Sequence, residues 1–78
     1  MAKMTLKVPK MAVSMQEGTL VEWLVEDGSH VEIGEVIYAL ETEKTTLEVE
    51  CPFAGTITTI GHPGKTYKVG DPIAEIMQ

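Results

Sequence analysis

The sequence predicts an all-β chain, a flattened barrel or sandwich of two four-stranded antiparallel sheets with an internal quasi-two-fold symmetry. Three observations point there. Apolar residues recur with a period of two, as in Thr46-Leu47-Glu48-Val49-Glu50 and Thr5-Leu6-Lys7-Val8, which puts them on one face of a strand. Gly or Pro punctuates the chain at intervals of about eight to ten residues, the spacing of short strands joined by tight turns. The chain is also written twice: "GTLVEWLVEDGSHVEIGEVI" at 18–37 and "GTITTIGHPGKTYKVGDPI" at 55–73 correspond with one residue omitted from the second copy.

Taken in order, the first strand covers Thr5 to Val8, and a weaker echo sets Leu6-Lys7-Val8-Pro9 against Leu47-Glu48-Val49-Glu50. On that pairing the first copy is four residues longer before its Gly-Thr pair. The stretch from Lys10 to Glu17 is therefore expected to hold an extra surface loop, a common place for recognition. Gly18-Thr19-Leu20 opens the next strand, which carries Trp23 in a core or rim position. Asp27-Gly28 is a tight-turn signal, matched by Pro63-Gly64 in the second copy. Val36 to Leu40 is the longest uninterrupted apolar run, far shorter than a membrane-spanning helix requires. No ten-residue stretch has an apolar helical stripe with caps. The 78 residues make one domain, 1–78, with repeat halves at about 4–41 and 43–77.

Composition narrows the function. Twelve acidic residues against six basic give a net charge of −6, which argues against nucleic-acid binding, where Lys and Arg neutralise phosphates. One cysteine permits neither an internal disulfide nor a cysteine cage for a metal, and suits a reducing compartment. The N-terminus lacks the apolar core of a secretory signal. His30 and His62 have no metal-pair or nucleophile–base spacing, and Ser14 lacks a nucleophile-elbow context. "PGKT" at 63–66 lacks the upstream glycine of a phosphate loop. Cys51, ahead of Pro52 with no basic neighbour, reads as a buried small hydrophobe. No catalytic or metal-ligating set emerges.

One reversal is unlike the others. In "ALETEKTTLEVE", residues 39–50, two alternating strands are joined by Thr42-Glu43-Lys44-Thr45, without the Gly, Asn or Pro of ordinary tight turns. It falls at the junction of the two copies. A lysine at a rigidly held tip suits covalent modification, because an enzyme reaches the ε-amine without unfolding the domain. An ordinary solvated turn lysine is the alternative.

Nearly the whole chain resembles the lipoyl domains of 2-oxo acid dehydrogenase complexes, within the wider biotinyl/lipoyl carrier family. The resemblance lies in Pro9, Met15-Gln16-Glu17-Gly18-Thr19, Trp23, the Gly28-to-Gly34 segment, Glu41-Thr42-Glu43-Lys44-Thr45 and the closing "YKVGDPIAEI". It implies the family's barrel-sandwich hybrid fold and a non-catalytic carrier, free-standing or part of a dihydrolipoyl acyltransferase. It further implies a lipoyl group in amide linkage to Lys44, forming a swinging arm that carries acyl groups and reducing equivalents. Glu43 stands where the family usually has Asp, and Thr45 where it usually has Ala. The biotin branch typically places Met on both sides of its lysine, so lipoylation is favoured; biotinylation, or an unmodified interaction module of the same fold, is the alternative. Implied partners are a lipoate-attaching enzyme, a thiamine-dependent 2-oxo acid decarboxylase, an acyltransferase and dihydrolipoyl dehydrogenase. Glu41, Met11, Val13, Met15 and Glu17 are candidates for partner recognition, although alternating methionines also suit a core. The domain itself is expected to be monomeric, without nucleic acid or membrane, and cytoplasmic (in the mitochondrial matrix if eukaryotic).

Overall fold

The computed structural model describes residues 2–10, 15–43 and 45–78. Eight strands follow in order: β1 (Lys3–Lys7), β2 (Glu17–Trp23), β3 (His30–Val31), β4 (Val36–Glu41), β5 (Thr46–Glu50), β6 (Gly55–Thr59), β7 (Thr66–Lys68) and β8 (Pro72–Met77). They form two antiparallel four-stranded sheets, ordered β1-β8-β6-β3 and β5-β4-β2-β7. Exchanging β1 with β5, β2 with β6, β3 with β7 and β4 with β8 turns one order into the other, which is the quasi-two-fold. The sheets are not the halves of the repeat. Each takes two strands from each half, so neither half completes a sheet without the other.

Hydrogen bonds outside the ladders follow the same symmetry. The Gly28 N–H donates to the Ile57 carbonyl at 2.7 Å, and the Gly64 N–H donates to that of Leu20 at 2.7 Å. The Gly34 N–H reaches the Cys51 carbonyl at 2.8 Å, and the Gly70 N–H reaches that of Val8 at 3.0 Å. The last pair makes Val8-Pro9 equivalent to Cys51-Pro52, which displaces the expected upstream pairing by two residues. Ten positions then separate Val8 from Gly18, against four between Cys51 and Gly55. The insertion is six residues rather than four.

The core is apolar throughout: Leu6, Val8, Met15, Leu20, Val31, Ile37, Tyr38, Leu40, Cys51, Ile57, Ile73, Ala74 and Ile76 are buried, and no buried residue among those described is polar or charged. Strict alternation fails at two places. Ile37 and Tyr38 are both buried because the β4–β5 register skips a residue between Val36 and Tyr38. Ile73 and Ala74 repeat this against β1, where Lys7 faces Pro72 and Leu6 faces Ala74. A bulge adds one residue to one strand and lets two neighbours turn inward.

Gly18 and Gly55 are symmetry mates at close approaches. A Cβ on Gly18 would lie 2.8 Å from Leu40 Cγ, and one on Gly55 would lie 2.5 Å from the Met77 carbonyl oxygen and 2.8 Å from Ile76 Cγ2. Trp23 is half-buried, donates from Nε1 to the Gly61 carbonyl at 3.0 Å, and meets the Tyr38 ring edge-on at 5.2 Å between centroids.

Burial pushes the Tyr38 hydroxyl up to about 12 from its ordinary 10.0. The native state therefore favours the neutral phenol, and its stabilising effect is complete below about pH 10, then lost as pH rises toward 12. Urea titrations followed by Trp23 fluorescence should show stability falling across that window, and Tyr38→Phe should flatten the fall.

Candidate functional site

Sequence reasoning singled out the β4–β5 connection, and the structure explains its odd composition. The ladder closes with Glu41 opposite Thr46. Beyond it the Thr42 N–H donates to the Thr45 carbonyl at 2.7 Å, and Thr42 Oγ1 donates to the same oxygen at 2.9 Å. No described residue other than glycine has a positive φ. Glu43 therefore rules out the primed hairpin turns, which need φ > 0 at the first central position. The reversal is closed by the Thr42 N–H and hydroxyl together on the Thr45 carbonyl, and no described residue of it needs the positive φ that Asn-Gly would supply. The part of Thr42 in closing this turn is what sequence reasoning missed. The available signal was a hydroxyl residue at the first position of a turn, where such side chains bond locally to the backbone.

Thr42→Val keeps the β-branch and removes the hydroxyl. It should cost the reversal about 1 kcal/mol, speed amide exchange at positions 42 and 45, and lower the midpoint of global unfolding by no more than that loss accounts for.

Glu43 and Thr45 are both exposed; Lys44 between them lies outside the described residues, as do Met11 and Val13. Met15 does not meet the expectation of an exposed recognition residue. It is 8% exposed and belongs to the core, the alternative role for a flexible apolar side chain. Glu17 and Glu41 are exposed and come together. Thr19 faces Glu41 on one side and Thr66 on the other, and Glu17, two residues before Thr19, lies on the same face opposite Lys68. The downstream end of the inserted loop thus enters β2 beside the hairpin. The Gln16 carbonyl anchors that end by accepting the Val69 N–H at 2.9 Å.

A cleft of about 610 Å³ is lined by Leu6, Ile37, Tyr38, Val49, Phe53 and neighbours, and its lining includes none of Thr42, Glu43 and Thr45. Among the described residues no group of three or more His, Cys, Asp or Glu is placed to hold a metal ion. Cys51 is buried, with its Sγ donating to the Phe53 carbonyl at 2.9 Å, and His30 and His62 are exposed.

Two interleaved four-stranded antiparallel sheets, with an exposed reversal at the junction of the repeat, place the chain in the class of small all-β sandwich domains. The chain belongs to the biotin–lipoyl family, whose pattern, described as "Biotin-requiring enzyme", matches residues 4–76. A solved lipoyl domain of the 2-oxoglutarate dehydrogenase complex from Azotobacter vinelandii superposes with a TM-score of 0.76 at 27% identity, covering 95% of each chain. The dihydrolipoyllysine-residue succinyltransferase component of the 2-oxoglutarate dehydrogenase complex of Staphylococcus saprophyticus is 42% identical over 91% of this chain and 17% of its own length. The pyruvate dehydrogenase E1 component subunit beta of Rhizobium meliloti is 41% identical over 91% of this chain and 16% of its own length. The chain thus spans about a sixth of the length of these two curated relatives.

Proposed function

We propose that the chain is a lipoyl carrier domain of a 2-oxo acid dehydrogenase complex and that Lys44 is its attachment point. The observation that carries this reading is the reversal at 42–45. It is tied across its base by Thr42 and Thr45, both neighbours of the lysine are exposed, and it stands at the junction of the two-fold halves. These residues fit a long appended group, since Glu43 and Thr45 offer an open approach and the apolar cleft lies away from them. The similarity to a solved lipoyl domain and to components of two such complexes supports lipoate as the group. Glu43 and Thr45 also lack the methionines that flank a biotinylated lysine in the resemblance described above.

When bound, a lipoyl group supplies a disulfide that takes up acyl groups and reducing equivalents. The residues of the chain do the rest. The ε-amine of Lys44, once neutral, would attack a carboxyl group activated by the modifying enzyme, forming the amide, expelling the activating group and releasing a proton. Thr42 ties the base of the reversal to Thr45. Glu41, Glu43 and Glu17 surround the approach with negative charge, a face suited to basic residues on a modifying enzyme or a decarboxylase. Amide formation removes one positive charge and takes the net charge from −6 to −7. Modified chain should therefore elute later than unmodified chain from an anion-exchange column at neutral pH.

Tethering the group to a small domain keeps its local concentration high at each partner site. The partners are a decarboxylase, an acyltransferase and a dihydrolipoyl dehydrogenase, and the domain contributes no catalysis of its own. To test this, the lipoylated chain is mixed with thiamine-dependent decarboxylases for pyruvate and for 2-oxoglutarate, each with its substrate. One of them should add a single acyl mass at a rate well above that for free lipoamide. Failure of both to exceed the free-lipoamide rate contradicts the assignment to these complexes.

A further inference from the structure

The cleft of about 610 Å³ takes its lining from both sheets, including the edge strands β1 and β5, and straddles the quasi-two-fold. With Val8-Pro9 equivalent to Cys51-Pro52, three pairs of symmetry mates line it: Leu6 with Val49, Lys7 with Glu50 and Pro9 with Pro52. The symmetry fails at Tyr38. Val49 pairs with Tyr38 where Leu6 pairs with Ala74, so one half brings a phenol to the cleft and the other brings a methyl group.

That phenol lacks a partner. Tyr38 is 1% exposed, and its hydroxyl makes no hydrogen bond among the described residues. The other aromatic side chains with a polar tip are both satisfied. Trp23 Nε1 donates to the Gly61 carbonyl at 3.0 Å, and the Tyr67 hydroxyl accepts the His62 N–H at 2.7 Å. Among the described residues no fully buried side-chain oxygen or nitrogen goes unpaired. The trace of Tyr38 that stays exposed therefore includes its hydroxyl, and the space it meets is the cleft that Tyr38 lines. Buried tyrosines normally bond through the hydroxyl, and leaving it unpaired costs about 1–3 kcal/mol. With its pKa pushed up to about 12, the group is a neutral donor at physiological pH.

The rest of the lining restricts what could take that donor. Leu6, Ile37, Val49 and Phe53 make the cleft mainly apolar, and its volume falls within the range of about 300–1,000 Å³ found for small-molecule sites. Its exposed charges are Lys7 on β1 and Glu48 and Glu50 on β5. A carboxylate placed there meets two like charges against one opposite, and an ammonium group has no lone pair to offer the Tyr38 hydroxyl.

We infer that this cleft binds a small, uncharged, mainly apolar molecule through one carbonyl oxygen, of the amide or ester kind, that accepts a hydrogen bond from the Tyr38 hydroxyl. The apolar part of the molecule covers Leu6, Ile37, Val49 and Phe53. This site is independent of the carrier reading and of whether Lys44 is modified.

The test is an NMR titration of the unmodified chain, labelled at amides and methyl groups, with octanamide at pH 7. Signals of Leu6, Ile37 and Val49 should move saturably. Tyr38→Phe removes only the hydroxyl and should weaken octanamide about fivefold, with signals remote from the cleft reporting that the variant is folded. Octanoate has the same chain length and a charge, and should bind the parent chain at least about fivefold more weakly than octanamide. That comparison uses the parent chain alone and does not depend on how the variant folds. Absence of saturable movement up to the solubility limit of octanamide overturns the inference. Equal affinity of the parent chain and Tyr38→Phe for octanamide, or octanoate binding as tightly as octanamide, overturns it too.

Discussion

Lys44→Arg is expected to abolish modification completely while leaving the fold as it is. Arginine keeps the positive charge and much of the length of lysine, so the electrostatics between Glu43 and Thr45 change little. Its guanidinium stays protonated at any pH the domain tolerates and is a poor nucleophile, whereas lysine yields a neutral amine. The substitution thus separates display from chemistry. Incubated with lipoate ligase, lipoate and ATP, the variant should keep its unmodified mass, and its Trp23 fluorescence and urea midpoint should match those of the parent chain. Lipoate found on the variant would mean that another of the six lysines accepts it.

The second large effect concerns the fold. Gly55→Ala should destabilise the domain by about 3 kcal/mol or more. The new Cβ meets a backbone oxygen, that of Met77 at 2.5 Å, and backbone in a paired strand cannot step aside as a side chain can. Its φ of 155° adds strain for any residue with a side chain. A domain of this size has roughly 4–12 kcal/mol in total, so a large share is removed. Gly18→Ala, the symmetry mate, meets only the branched end of Leu40 and should cost about 1–2 kcal/mol. Urea unfolding of the two variants, read from Trp23, the sole tryptophan, checks both the magnitude and the asymmetry. Equal losses would show that the contact with backbone is not what matters at Gly55.

Much of the architecture was legible because two independent signals agreed. Alternation in Thr46–Glu50 marked strands, and the Gly-Thr repeat marked the symmetry that relates the sheets. What escaped was local. Alternation has no means of announcing a bulge, so the paired burial of Ile37 with Tyr38 and of Ile73 with Ala74 was hidden inside apolar runs. The upstream echo was misplaced by two residues because alternating strands match themselves equally well at any even shift. Hydrogen bonds from Gly34 and Gly70 fix the register where apolar pattern does not. Interleaving of the halves was also out of reach, since pattern reports the face of a strand and not its neighbour.

At the candidate site the unusual turn composition pointed to Lys44, and the exposed Glu17, Glu41, Glu43 and Thr45 were legible from their polarity. Met15 was not, because methionine fills cores and recognition surfaces alike. Thr42 was passed over because its role is a hydroxyl bond across the turn.

The attachment claim is most directly tested by a competition. The chain is exposed to lipoate ligase with lipoate and to biotin ligase with biotin in one ATP-containing mixture, followed by intact mass and peptide mapping. The account predicts one lipoyl group per chain, on Lys44, with the remaining lysines unmodified. Biotin on Lys44, lipoate on a different lysine, or a chain that stays at its original mass would contradict it.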